Sequence, residues 1–238
     1  ELVLTTNGTR LQGLAQPLAA AGVKRVNVSL DSLRPERFRR LTRVGDLATV
    51  LAGIDAARAA GFERVKLNTV VLAGHNDDEV ADLVRFAGQR GLDISFIEEM
   101  PLGHIEAHDR QLTFHPSDRI LAELRQQFSL LPSTETTGGP SRYWRLADFG
   151  TRVGFISPHS HNFCASCNRV RVTVKGRLLL CLGQEHSVDL LAVLRTHPGD
   201  ADALRAAIVA AMALKPQGHD FMPGTQPVIF RHMSVTGG

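Results

Sequence analysis

The chain is short of several residue types that would define a function class. Aromatic residues make up 5% of its 238 residues, with one Trp and one Tyr, too few for a surface on which nucleobases stack in succession. No apolar run approaches the roughly 18–20 residues that span a bilayer, and no secretory pattern is present in these residues. Neither sign of charge dominates. Lys and Arg number 27 against 24 Asp and Glu, a net +3 that suits an anionic small ligand as well as a nucleic acid. Cysteine is scarce: there are three, all between 164 and 181. An odd, clustered set argues against a disulfide framework and for a reducing compartment. There is no low-complexity tract and no repeat beyond a strand–helix period. The sequence also lacks an initiator Met and starts on "ELVLTTNG", already an apolar strand running into a turn. An isolated strand at residue 1 is unusual, so the chain is expected to lack its natural N-terminal part.

What is present is an ordinary globular mixture, 43% hydrophobic, enough for one large domain or two small ones. Residues 1–100 alternate strands, over Leu2–Thr6, Arg25–Leu30, Arg64–Leu72 and Asp93–Glu98, with helical patterns. Asp46 caps a helix with Leu47, Val50, Leu51 and Ile54 on one face, ending near Gly61. Asp77 or Asp78 starts another, with Val80, Leu83, Val84 and Ala87 inward, ending at Gly91. Pro35 sits in the first turn of a short helix containing Phe38 and Leu41. Such repeats imply a parallel sheet, either doubly wound or part of a (β/α) barrel. Farther on, Ser117 is expected to cap a helix containing Ile120, Leu121 and Leu124. "STETTGGPS", residues 133–141, reads as a linker or mobile loop. Strand patterns "RYWRL" and "TRVGFIS" follow, then helices around Val188–Arg195 and Ala203–Leu214.

The strands carry polar residues where an all-parallel sheet is usually apolar. Asn27, Ser29 and Asp31 share one parity, and Lys66 and Asn68 share another, opposite Val65 and Leu67. Thr5 and Glu98 close their strands. Ligands of such sheets bind at the C-terminal strand ends. Taken one at a time, Ser29, Asn68 and Thr5 read equally well as residues that satisfy loop backbone. Lys66 is different, because an ammonium in mid-strand calls for a wet or anion-binding cavity.

The cysteines are spaced C-x2-C-x13-C at Cys164, Cys167 and Cys181. Val170, Val172 and Val174 alternate with Arg171 and Thr173, Lys175-Gly176 reads as a hairpin turn, and "RLLLCL" as the returning strand. A two-residue turn pairs Val174 with Arg177 and sets Cys181 across from Val170. Two metal readings are open: a structural zinc completed by His159, His161 or His186, and an iron–sulfur cluster with three protein ligands and one open iron. The plain alternative is three unrelated buried cysteines. Arg169 and Arg171 read either as a solvated strand face or as a clamp for phosphate or carboxylate.

Taken in order, "LTTNG", "VNVSLDSL", "VKLNTVV", "NDDE", "FIEEMP", "FCASCNRVRVT", "LLLCL" and the terminal "GG" resemble the MoaA family, the radical S-adenosylmethionine GTP 3′,8-cyclases of molybdenum cofactor biosynthesis. The resemblance covers essentially the whole chain. It implies a partial (β/α) TIM-like barrel over residues 1–110, with the S-adenosylmethionine-binding part, and a C-terminal α+β iron–sulfur domain over residues 111–238. The family's first 4Fe–4S cluster uses a C-x3-C-x2-C motif that is not in this sequence, so a second cluster is expected from the missing N-terminal part, and the chain alone is expected to be inactive.

By resemblance, Ser29 and Met100 contact S-adenosylmethionine, and Thr5, Lys66, Arg169, Val170 and Arg171 contact GTP. Cys164, Cys167 and Cys181 hold the second 4Fe–4S cluster. Arg169, Arg171, Gly237 and Gly238 lie at the reacting centre. The implied reaction is a lyase-type cyclisation of GTP to 3′,8-cyclo-7,8-dihydro-GTP. It starts with hydrogen removal from the ribose 3′ carbon by a 5′-deoxyadenosyl radical. An electron donor, a downstream cyclic pyranopterin monophosphate synthase and the bacterial cytoplasm go with it. No nucleic acid and no membrane are implied, and there is room for a homodimer. One residue departs from the pattern: the family usually has Arg before "FIE", contacting GTP, and here Ser95 stands there, without charge or fork.

Overall fold

The computed structural model describes residues 1–103, 108–219 and 221. The chain divides into two compact units, one of Glu1–Glu99 with Leu112–Ser160 and one of Met100–Gln111 with His161–Gly238. The expected functional division near residue 110 therefore does not coincide with the packing, because residues 112–160 fold with the first unit.

Along the chain, the described strands and helices of the first unit are β1 (Val3–Thr6), α1 (Leu11–Ala20), β2 (Arg25–Ser29), α2 (Pro35–Thr42), α3 (Leu47–Ala59), β3 (Arg64–Val71), α4 (Val80–Gln89) and β4 (Asp93–Glu98). A short α5 (Arg110–Thr113) straddles the division. Then come α6 (Ser117–Arg125), β5 (Leu130–Pro132), β6 (Arg142–Leu146) and β7 (Thr151–Ile156). Seven strands form one sheet in the order β1-β2-β3-β4-β7-β6-β5. β1 to β4 and then β7 are parallel, and β6 and β5 add antiparallel strands. β1 and β5 are its edges, so among the described residues the sheet is a partial barrel, not closed.

One sheet face is the core. Val26, Val28, Leu67, Ile94, Phe96 and Val153 are at most 1% exposed. They belong to one apolar cluster with Leu11, Val50, Ile54, Leu83 and Leu124 of the helices. Burying each such side chain contributes roughly 1.5–3 kcal/mol. Asp46 accepts from the Thr49 N–H at 2.8 Å and starts α3 as expected. α1 was not singled out in the sequence; Pro17 inside it disguises the helical run. At α6 the cap differs from expectation. Ser117 lies inside the helix and Pro116 is the cap residue. Ser117 donates its N–H to Glu98 at 3.0 Å, so a carboxylate from β4 serves the helix N-terminus. The segment 133–141 is also no free linker: Glu135 accepts from Arg152 at 2.7 Å, the Thr137 carbonyl from Arg25 at 3.2 Å, and Ser141 bonds Ser95 at 3.0 Å.

The second unit contains β8 (Arg171–Val172), β9 (Arg177–Leu179), β10 (Ser187–Asp189), α7 (Leu190–Thr196) and α8 (Ala201–Ala213). Its strands form an antiparallel sheet in the order β10-β9-β8. Val188, expected in a helix, is in β10, and α7 begins after Asp189, whose carboxylate accepts from the Ala192 N–H. Asp200 caps α8 in the same way. The described core is small: Leu178, Leu180, Leu190 and Ala211 are buried, with Val188, Leu204 and Ala207 against them. A core of this size gains from an added staple such as a metal centre.

Candidate functional site

In the first unit the polar residues fall into cross-strand rows. Thr5, Asn27, Lys66 and Asp93 are register partners across β1 to β4. Ser29, Asn68, Ser95 and Gly154 form the next row across β2, β3, β4 and β7. Residues two apart on a strand share a face, so both rows decorate the face opposite the core. Asn27 donates to Thr5 Oγ1 at 3.2 Å. Lys66 is half-buried and, among the described residues, makes no hydrogen bond or ion pair. Its row neighbour Asp93 is already taken by Arg152, with bonds of 3.1 Å from Nε and 3.0 Å from the backbone N–H. Asn68 Oδ1 is buried and, among the described residues, has no hydrogen-bond partner. A cation without a counter-charge and an orphaned acceptor on one face are what an anionic, hydrogen-bonding ligand would complete.

Ser95 sits differently from its neighbours. It is fully buried and bonded to Ser141. A Cβ on the facing Gly154 would lie 2.2 Å from Ser141 Oγ and 2.7 Å from Ser95 Oγ. An arginine has no room here while residues 133–141 hold this position.

Residues that sequence reading did not single out fasten the C-terminal strand ends. Asn76, buried, donates to the carbonyls of Asp31 and Val70 at 2.8 and 2.9 Å and accepts from Leu72 at 2.8 Å. Glu79 accepts from Ser32 at 2.7 Å, from the Leu33 N–H at 2.8 Å and from Arg37 at 2.6 Å. Glu98 accepts from the N–H groups of Ser117, His159 and Ser160 and from the Ser160 hydroxyl. All three stand in stretches quoted for the resemblance, which was the available signal. Asp31 accepts from the Val70 N–H at 2.9 Å; its burial pushes the carboxyl from 3.8 up to about 6 against that bond.

In the second unit, Cys164–Ser166 forms a single 3-10 turn, closed by the Cys167 N–H bonding the Cys164 carbonyl at 3.0 Å. Asn162 Oδ1 accepts the Cys164 N–H at 2.7 Å. Beyond it, Arg171 pairs with Leu179 and Val172 with Leu178. The turn has three residues, not two. The Gly176 N–H bonds the Thr173 carbonyl, Thr173 N–H bonds the Arg177 carbonyl, and Gly176 has φ +72°. That is the type I turn plus left-handed glycine of three-residue hairpins. It slips the expected register by one, so continuing it sets Cys181 against Arg169 and not against Val170.

The three cysteines are free thiols, each half-buried. Burial raises the Cys167 thiol, but bonds from the Arg169 backbone and guanidinium, with the charges of Arg169 and Lys215, outweigh it and bring the pKa below its ordinary value. Arg169 Nη2 lies 3.6 Å from Cys167 Sγ and its guanidinium carbon 5.0 Å from the centre of the Phe163 ring. Burial lowers the Arg171 pKa, and Arg169 lowers it further, against Cys167 and Cys181. Thiolate is the metal-binding form, so the donor set suits a soft, thiolate-bound centre. Among the described residues no three His, Cys, Asp or Glu side chains are grouped to hold a metal ion. His159, one of the histidines that could complete a zinc site, bonds the Glu99 carbonyl at 2.9 Å within the first unit. The chemistry of the thiols fits an iron–sulfur cluster, which spreads its ligands over several iron atoms.

Met100 is half-buried in the second unit and Val170 is exposed there, while Gly237 and Gly238 lie outside the described residues.

Comparison with known proteins decides the family. Residues 1–87 match the Radical SAM superfamily, and residues 92–221 match the family Molybdenum Cofactor Synthesis C. A GTP 3′,8-cyclase from Pseudomonas entomophila (strain L48) is 65% identical over 239 residues, covering 100% of this chain and 72% of the relative. One from Pseudomonas putida (strain W619) is 63% identical over the same shares, and one from Saccharophagus degradans (strain 2-40 / ATCC 43961 / DSM 17024) is 57% identical, again over 100% and 72%. The chain belongs to the GTP 3′,8-cyclase family. As a radical S-adenosylmethionine family, the GTP 3′,8-cyclases imply a 4Fe–4S cluster and S-adenosylmethionine. No described helix is long and apolar enough to cross a membrane.

Proposed function

We propose that the full-length protein is a radical S-adenosylmethionine lyase that converts GTP to 3′,8-cyclo-7,8-dihydro-GTP in molybdenum cofactor biosynthesis. The observation that carries this reading is Lys66, a half-buried cation that among the described residues has no counter-ion on the polar sheet face, beside Asn68 Oδ1, which has no hydrogen-bond partner among them. When bound at a reduced cluster, S-adenosylmethionine supplies the radical that starts the reaction. Ser29, next to Asn68 in the register, and Met100 are the residues proposed to seat it. Thr5 and Lys66 are assigned to GTP, Lys66 offering a point charge to its phosphates. Arg169 and Arg171 are assigned to the triphosphate and ribose, Val170 to the same substrate, and Gly237 and Gly238 to the reacting centre. Two adjacent guanidiniums that repel one another, with Arg171 partly desolvated, are an electrostatic match for a polyanion.

Cys164, Cys167 and Cys181 are proposed to hold a second 4Fe–4S cluster, whose open iron would orient the guanine. All three cysteines are then used at that centre. An electron donor, hand-over of product to a cyclic pyranopterin monophosphate synthase, the bacterial cytoplasm and a homodimer complete the proposal.

The test is anaerobic turnover by the full-length protein with GTP and S-adenosylmethionine. Release of 5′-deoxyadenosine with cyclised nucleotide is expected. Lys66→Ala is expected to weaken GTP binding roughly 10- to 100-fold, the scale of one lost charged hydrogen bond, with iron content unchanged. Unchanged GTP affinity would remove Lys66 from the site.

A further inference from the structure

We propose that Lys215 is a positioning residue that clamps the open end of the cysteine hairpin. This rests on the reading that Cys164, Cys167 and Cys181 hold a cluster. Lys215 follows α8, its N–H bonded to the Met212 carbonyl at 3.1 Å. Its side chain turns onto the hairpin, where Nζ donates to the Arg169 carbonyl at 3.0 Å and to the Leu180 carbonyl at 2.7 Å. These two carbonyls stand on opposite arms. Arg169 comes two residues after Cys167, and Leu180 immediately precedes Cys181.

The position of the clamp explains why a side chain is needed. The β8–β9 ladder ends at Arg171 and Leu179. Past that pair, no strand-to-strand bonds among the described residues keep the arms in register, yet on this reading both present a thiolate to one centre. An ammonium has three donors and no preferred plane, so one nitrogen can satisfy two carbonyls that do not face each other. The anchor is firm on its own side. Leu180 is buried with Leu178, Leu190 and Ala211 of α8 in the core of this unit, so the helix leading to Lys215 and the arm leading to Cys181 are already packed together. Lys215 thus acts on the cluster through the backbone of its ligands, as residues behind the ligands of a metal centre do.

The experiment is chelator competition for iron in anaerobically reconstituted full-length protein. Cys181→Ser defines the iron that this site does not hold. Lys215→Met, which keeps the stem and removes the donors, is expected to lose the Cys181-dependent iron at roughly 10- to 100-fold lower chelator concentration. Lys215→Arg, which restores charge and donors, is expected to recover most of the loss. Lys175→Met removes the same charge from the exposed hairpin turn and is expected to match wild type. Wild-type iron retention by Lys215→Met overturns the proposal, and so does an equal loss in Lys175→Met. If Lys215→Met fails to fold by circular dichroism, Lys215→Gln decides, since it keeps one donor arm: an intermediate loss supports the clamp and wild-type retention overturns it. If Cys181→Ser loses no iron, the cluster assignment itself fails and the clamp with it, whereas a Cys181→Ser loss with a normal Lys215→Met removes the clamp alone.

Discussion

Glu98 offers a sharp test of how the first unit is held together. It is 1% exposed, and its carboxylate collects the N–H groups of Ser117 at 3.0 Å, His159 at 3.0 Å and Ser160 at 3.1 Å, as well as the Ser160 hydroxyl. Burial alone would raise its pKa, but the donors outweigh it and hold the group below the ordinary 4.5. Glu98→Ala strands three backbone donors. At about 1–3 kcal/mol each, with water reaching the half-buried ones, a loss of about 4 kcal/mol is expected. Glu98→Gln keeps the volume but presents an NH2 to donors at one end, so about 2 kcal/mol is expected. The pH dependence has a definite sign. A carboxyl depressed in the fold contributes stability that is present above its unfolded value near 4.5 and is lost as pH falls through the folded value. The gap between wild type and Glu98→Gln should therefore be constant near neutrality and narrow below about pH 4.5. The chain has one tryptophan, Trp144 in β6 of this same unit, so urea unfolding followed by its fluorescence reads this unit. A Glu98→Gln midpoint equal to wild type at pH 7, or a gap that does not narrow in acid, refutes the reasoning.

Ser95→Arg, which installs the residue usual at this position in the resembling family, is expected to cost roughly 3 kcal/mol, because it drives a charge into the packed contact of Ser95, Ser141 and Gly154. A wild-type urea midpoint for that variant would show that residues 133–141 yield easily. Asp31→Asn should stabilise, and only above the acid range. The carboxyl is raised in the fold from 3.8 to about 6, so ionising it costs nothing below pH 4 and up to about 3 kcal/mol above pH 6. Parallel stability–pH curves for wild type and Asp31→Asn would contradict this. Asp93→Asn leaves the buried Arg152 guanidinium with Glu135 and the Tyr143 ring as its remaining partners, and should cost about 3 kcal/mol. Asp93→Leu with Arg152→Met should recover part of it, and a double variant no better than the single would place the cost elsewhere.

The sequence made the parallel strands legible because parity and turn chemistry are local. Asn27, Ser29, Lys66 and Asn68 alternate with Val26, Val28, Val65 and Leu67, and the register places them as that alternation requires. Features that depend on another element were not legible. Ser117 was read as a cap because serine caps locally, but the charge of Glu98, 19 residues earlier in the chain, serves that helix end instead. The hairpin register turned on whether Gly176 lies inside a two-residue turn or closes a three-residue one, and its left-handed φ decides that. Residues 133–141 have a loop composition, yet Arg25, Arg152 and Ser95 supply the bonds that order them. Lys215, beyond a helix and without a motif, carried no sequence signal.

The two units leave the same kind of electrostatic work unfinished, and this bears on what the protein holds. In the first, the buried carboxylates of Glu79, Asp93 and Glu98 are each met by several donors, whereas Lys66 is met by none among the described residues. In the second, Arg169, Arg171 and Lys215 are drawn around thiols with no carboxylate among the causes acting on Cys167 or Arg171. Like charges held close in a partly desolvated setting cost free energy unless an anion joins them. A thiolate-bound cluster in the second unit, and an anionic ligand beside Lys66 in the first, would each supply the missing negative charge. An anion bound beside each set would offset a cost that the folding contacts among the described residues leave unmet.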